Sequence, residues 1–284
     1  MDNVIKDVLL KTSDKFNADS PLEDKPTYIE NSLYFCDVCK SPLQTKINLQ
    51  GKEYTVRVMC ECEEKEYEAE QEAFKKQQRE LQTKINKQNG LIVKEWKHCT
   101  FANDDGRTPK LIALAKRYVT QWEKIKSENI GLLFFGGVGV GKTYAMLCIA
   151  NALLDIGERV IVTNFSRVIN DLSNFDNDKN HYIHNLASCS LLAIDDLGAE
   201  RQSDYALQIV ESVIDERYKA NKPIILTTNL SMAELQNPKD LKYARIYSRI
   251  LSMTSPVKAQ GEDRRKEEHS QKLELIKEIF KDGV

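Results

Sequence analysis

Eight consecutive residues, Gly136-Gly137-Val138-Gly139-Val140-Gly141-Lys142-Thr143, have the types and order needed to hold a polyphosphate. Glycine lacks the Cβ that bars most residues from positive φ, so such a run can turn its N–H groups inward around an anion. The G-x-x-x-x-G-K-T spacing then sets an ammonium, Lys142, to reach the β and γ phosphates, and a hydroxyl, Thr143, to ligate magnesium. The run follows an apolar, strand-like Leu132-Leu133-Phe134-Phe135 and precedes an apolar helix over 144–154, whose positive N-terminus, headed by Tyr144, would face the same anion. These residues read as the binding loop of a nucleoside triphosphate.

Two further segments end in chemistry. Leu191-Leu192-Ala193-Ile194 is a buried-strand run closed by Asp195-Asp196. An acid at the C-terminal edge of a sheet lies beside such a loop, where Asp195 would hold the magnesium through water. Asp196, one residue on, would orient and polarise the attacking water. Ile224-Ile225-Leu226-Thr227-Thr228-Asn229 also ends in small polar residues. Asn229 either hydrogen-bonds the γ phosphate or its water, or caps a helix starting at Ser231.

A second kind of chemistry sits upstream. Cys36 and Cys39 form one close pair, Cys60 and Cys62 another, and 54–59 between them alternates like a strand. Two thiolate pairs across such a spacer suit a tetrahedral Cys₄ zinc site, structural because no coordination position stays open. Metal binding supplies folding energy that so short a module cannot draw from a core. Cys99, Cys148 and Cys189 are scattered singly and read as small buried apolar residues.

The elements that must position these groups are legible in outline. Strands are expected at 131–135, 159–163, 190–194 and 224–228, with helices between them, including 204–220 with Leu207, Val210, Val213 and Ile214 on one face. That alternation describes a doubly wound α/β parallel sheet. Residues 63–88 are dense in Glu, Lys and Gln, and carry Tyr67, Phe74, Leu81 and Ile85 as a thin apolar stripe, a solvated connecting helix. Asn89-Gly90 and Asp104-Asp105-Gly106 mark an irregular linker. The domain reading is an N-terminal region 1–88, with the zinc module over 36–62 and a short amphipathic stretch at Val4, Ile5, Val8 and Leu9, a linker 89–110, and an ATPase core with lid and tail over 111–284. In the tail Leu273, Ile276, Ile279 and Phe280 share a face expected to pack back on the core or to meet a partner.

At 284 residues, 41% hydrophobic and 30% charged, the chain is globular rather than disordered. A net charge of −2 means that nucleic-acid contact requires a local basic patch. No apolar run approaches the roughly 20 residues a bilayer demands, and the N-terminus, with Asp2 and Asp7 flanking Val4-Ile5, lacks the basic region and apolar core of a signal peptide, so no membrane partner and a cytoplasmic location are expected.

Taken in order, 136–143, Asp195-Asp196-Leu197-Gly198, Thr227-Thr228-Asn229, Arg245-Ile246-Tyr247-Ser248-Arg249 and Gly261-Glu262-Asp263-Arg264-Arg265 resemble the DnaC/DnaI-type replicative helicase loaders, a branch of the AAA+ ATPases that also holds the IstB transposition helpers. The resemblance covers about 95–268, and the cysteine module is similar to the zinc-binding N-terminal domain of the DnaI-type loaders. It implies an AAA+ ATPase using ATP, Mg²⁺ and Zn²⁺, which self-associates through its ATP site and loads a hexameric replicative helicase onto single-stranded DNA in replication initiation. By the same resemblance Arg249 matches an arginine finger acting on a neighbouring subunit's ATP, and Arg265 a lid arginine sensing nucleotide in cis; Arg264 stands where the family usually has an aromatic residue. The alternative is an IstB-like transposition helper that binds double-stranded DNA and a transposase. A GTP switch is disfavoured, because Asn221-Lys222-Pro223-Ile224 lacks the carboxylate that would read guanine. A zinc ribbon acting alone as a DNA binder is disfavoured by the near-neutral charge of 36–62.

Overall fold

The computed structural model describes residues 26–91, 93–174, 179–200, 203–238 and 240–280, so the amphipathic stretch expected at residues 4–9 lies outside the described residues. Two compact units divide between Gln78 and Arg79.

In the first unit, β1 (Thr27–Glu30) and β2 (Leu33–Cys36) form one antiparallel hairpin, and β3 (Gln44–Leu49) and β4 (Lys52–Arg57) another. Asn31 and Ser32 turn the first, and Gln50 and Gly51 the second, all four at positive φ. Two-residue turns of that hand match the twist of paired strands. Leu43 is fully buried between Cys36 and Cys60 and makes a core of three residues. α1 (Glu61–Gly90) follows, with Glu61, Glu63 and Glu64 in its first turn, where the helix dipole favours acids. Tyr67, Phe74, Leu81 and Ile85 are all exposed along it, the solvated helix expected.

Within the second unit, the end of α1 is seated by Asn86, whose side-chain amide donates to the carbonyls of Gly157 and Glu158 at 3.0 and 3.3 Å. Gly90 lies so near Val160 that a Cβ would sit 2.5 Å from its carbonyl oxygen. The segment expected to be an irregular linker is instead docked on the core. Leu91 bridges to Val162, and two 3₁₀ turns follow, Lys94–His98 and Phe101–Asn103. Trp96, Cys99 and Phe101 pack on the core, and the buried Asn151 amide donates to the carbonyls of Trp96 and Cys99, both at 2.9 Å. A polar side chain from a helix thus satisfies backbone that has no ladder of its own.

After α2 (Pro109–Thr120) and α3 (Trp122–Ser127), the chain alternates: β5 (Gly131–Phe135), α4 (Lys142–Asp155), β6 (Val160–Asn164), α5 (Phe165–Asn174), α6 (Lys179–Ser188), β7 (Leu191–Leu197), α7 (Asp204–Ala220) and β8 (Ile224–Thr228). Short helices α8 (Met232–Gln236) and α9 (Leu241–Met253) lead to β9 (Thr254–Lys258) and α10 (Arg264–Ile279). The five strands run parallel in the order β6-β7-β8-β5-β9. Along β7, Leu191 and Ala193 face one apolar layer and Leu192 and Ile194 the other. Helices therefore cover both faces of the sheet, as a continuous apolar strand requires. The doubly wound α/β class is as expected.

Two expectations are corrected. β9 was not foreseen, because Thr254-Ser255-Pro256-Val257-Lys258 is neither apolar nor free of proline; as an edge strand it tolerates both. The apolar face of α10 does not pack on the core: Leu273, Ile276, Ile279 and Phe280 are exposed by 43, 50, 65 and 58%.

Candidate active site

β5 delivers the chain into the glycine loop, and Lys142 opens α4. The Lys142 ammonium donates to the carbonyls of Gly136 (2.9 Å) and Gly137 (2.5 Å) and to Asn229 Oδ1 (2.9 Å). Burial lowers its pKa against the opposing pull of Asp196 and Asp195, and the charge of Arg265 lowers it further. Gly139 has φ +75°, and a Cβ there would fall 1.9 Å from Asp263 Oδ1. Only glycine lets the head of α10 close on the loop, where the Arg264 N–H donates to the Gly139 carbonyl at 3.3 Å.

The carboxylates arrive on β7, where a register shift between Ile194 and Leu197 interrupts the ladder with β8. Asp196 sits at φ +59°, a costly conformation for a residue with a Cβ, which persists where surroundings over-determine it. Here Thr227 does so. Its hydroxyl accepts the Asp196 N–H at 2.9 Å and donates to Asp195 Oδ1 at 2.6 Å. Thr143 Oγ1 donates to that same Asp195 oxygen at 2.8 Å. The bulge thus sends two successive carboxylates to different partners, Asp195 toward Thr143 and Asp196 toward Asn229, whose Nδ2 donates to Asp196 Oδ1 at 2.8 Å.

Asn229 therefore binds Lys142 with its oxygen and Asp196 with its nitrogen. It does not cap α8. Ser231 does, in a capping box with Glu234. Thr227, to which the sequence reading gave no role, is the other residue that organises the acids; nothing in its type distinguishes it from Thr228, whose hydroxyl donates to the Leu197 carbonyl.

A cleft of about 340 Å³ gathers Val138, Gly139, Val140, Gly141, Lys142, Thr143 and Tyr144 with Asp195, Asp196 and Asn229, and both Arg264 and Arg265 line it. Gly136 and Gly137 contribute their carbonyls to Lys142. Arg249 is not brought there. It sits on α9, ion-paired with Asp215 of α7 at 2.7 Å and 3.8 Å from Glu211.

In the first unit the sulfur atoms of Cys36, Cys39, Cys60 and Cys62 all lie within 4.8 Å of one another. A zinc ion with sulfurs at 2.3 Å in a tetrahedron spaces them roughly 3.8 Å apart. Hydrogen bonds from Ser41 pull Cys39 down to about 5, while the neighbouring Cys39 pushes Cys62 up to about 12. Thiolates cannot accumulate together at this spacing without a cation, so the donor set fits zinc.

A family model described as IstB-like ATP binding protein matches residues 56–272, well over half the chain. The chain belongs to this family. The replicative helicase loader DnaI of Bacillus subtilis (strain 168) is 26% identical over 181 residues, 58% of each chain. The replicative helicase loader DnaC of Escherichia coli (strain K12) is 25% identical over 146 residues, 49% of this chain and 58% of that one. The matched stretch thus spans less than two thirds of either relative. A crystal structure of DnaI superposes with a TM-score of 0.51 at 26% identity, over 62% of this chain and 95% of that one. A crystal structure of the DnaC helicase loader, at TM-score 0.51 and 23% identity over 59% of this chain and 100% of that one, shares the fold.

Proposed function

We propose that this IstB-like chain is an ATP-driven loader that places a hexameric replicative DNA helicase on single-stranded DNA at replication initiation. Support comes above all from one juxtaposition: Asn229 holds the Lys142 ammonium and the Asp196 carboxylate together, in a chain whose curated relatives are named replicative helicase loaders. In this reading Lys142 exchanges its two loop carbonyls for the β and γ phosphates, and the loop N–H groups surround them. Thr143 and Asp195 would hold magnesium, which when bound neutralises charge on the triphosphate. Asp196 orients the attacking water, and Asn229 fixes its carboxylate and ties it to the occupancy of the phosphate site through Lys142. Arg265 senses nucleotide from the lid of the same subunit.

Arg249 would act in trans, its guanidinium inserted into a neighbouring subunit's site to stabilise charge on the transferring phosphoryl group. Its position outside the cleft of its own chain agrees with that role. Self-association would therefore follow ATP. The N-terminal region, 1–88, with zinc held structurally by its four cysteines, would grip the helicase, and the core would contact single-stranded DNA, in the cytoplasm.

A pull-down with a replicative helicase hexamer, run with ATP and with ADP and with single-stranded or duplex DNA added, tests this. Capture that depends on the nucleotide and a preference for single strands are expected. Indifference to the helicase with a duplex preference would instead indicate the transposition helper.

A further inference from the structure

We infer that Arg264 is a clasp rather than a phosphate sensor: with Asp105 and Thr108 it ties the segment ahead of α2 to the head of α10 across the phosphate loop, and so slows the release of bound nucleotide. The inference rests on the nucleotide reading of the cleft and extends it to how the nucleotide is retained.

The guanidinium is committed on several sides. Its Nη1 pairs with Asp105 Oδ2 at 3.1 Å, its Nη2 donates to Thr108 Oγ1 at 3.2 Å, and its carbon stands 6.0 Å from the centre of the Tyr144 ring. The loop runs between the joined parts. A Cβ on Gly141 would lie 3.4 Å from both Arg264 Nη2 and Thr108 Oγ1. Thr108 is buried and, although it precedes α2, its hydroxyl does not cap that helix; it serves Arg264. The neighbouring Arg265 lines the cleft without such a commitment, and its charge bears on Lys142. Two adjacent arginines therefore do different work. Arg264 thus sets an ion pair beside the phosphate loop.

The test follows dissociation of a fluorescent N-methylanthraniloyl ADP from the full-length chain by stopped flow, chased with excess ATP. A partly exposed ion pair is worth a few tenths to about 1 kcal/mol, so Asp105→Asn and Arg264→Gln should each speed release about two- to fivefold. The double variant should be no faster than the faster single one, because each change breaks the same contact. Arg264→Lys, which keeps the charge but not the fork, should fall between. High salt should bring the wild-type rate towards that of Asp105→Asn. At saturating ATP, Arg265→Gln should lower kcat. Unchanged release in both single variants, or two accelerations that multiply, would overturn the clasp while leaving the nucleotide site standing. A wild-type chain that binds no nucleotide would overturn both.

Discussion

Asn229 touches opposite charges within the cleft, at 2.9 Å to Lys142 and 2.8 Å to Asp196. In the proposed reading, removing it frees the Asp196 carboxylate while Lys142 still meets the phosphates. Asn229→Ala is therefore expected to lower kcat for ATP hydrolysis on the order of a hundredfold, the usual cost of one preorganised hydrogen-bond donor, with little change in KM. A rise in KM at constant kcat would assign Asn229 to binding instead. At this scale the sequence was informative where chemistry is written as contiguous spacing. The loop from Gly136 to Thr143 lies in one stretch, so its candidate phosphate-binding residues could be named one by one. It was silent where geometry decides. Asn229 after a strand can also be read as a cap, and the capping box of Ser231 and Glu234 removes that alternative. No glycine marks the positive φ of Asp196, and Thr227 looks like its neighbour.

At the scale of elements, strands buried on both faces announced themselves and the edge strand did not. β5 and β8 fall at 131–135 and 224–228 as expected, because a parallel strand covered by helices must be apolar throughout. The packing of Trp96, Cys99 and Phe101 on the core was hidden, because it depends on Asn151 reaching carbonyls some fifty residues away. Arg217 of α7 plays a similar part. Fully buried, it donates to the carbonyls of Ala187 and Cys189 at 2.7 Å, of Ser190 at 3.1 Å, and of Pro223, tying the end of α6 to the start of β7 and β8. Arg217→Ala should cost about 3 kcal/mol, the range for stranding buried polar partners, and be read as a lowered denaturation midpoint; a midpoint unchanged within error would show these carbonyls to be satisfied otherwise. The cysteine module permits a separate check. One zinc per chain is expected by atomic emission, lost in Cys36→Ser, with thiol titration rising after chelation. Full thiol reactivity before chelation would argue against a bound metal.

For the whole molecule, the groups assigned to one reaction do not all meet in one chain. Arg249 lies outside the cleft, held by Asp215. If it completes a neighbour's site, mixing Arg249→Ala with Asp196→Asn subunits should restore part of the hydrolysis that each lacks alone. No recovery in mixtures that co-assemble would place Arg249 in a structural role. The exposed apolar faces of α1 and α10 are a second whole-molecule feature, since the periodicity that marks a helix face does not say what covers it. In the proposed reading, self-association and helicase loading alike would depend on a nucleotide in the cleft lined by Lys142 and Asp195. The most direct measurement is steady-state phosphate release from Mg-ATP by the wild-type chain and by Lys142→Ala, each with its ATP affinity determined by titration. Turnover in the wild type and a loss of at least a hundredfold in the variant are expected. Equal turnover in the two would mean that the ATP acts somewhere other than at the Gly136–Thr143 turn.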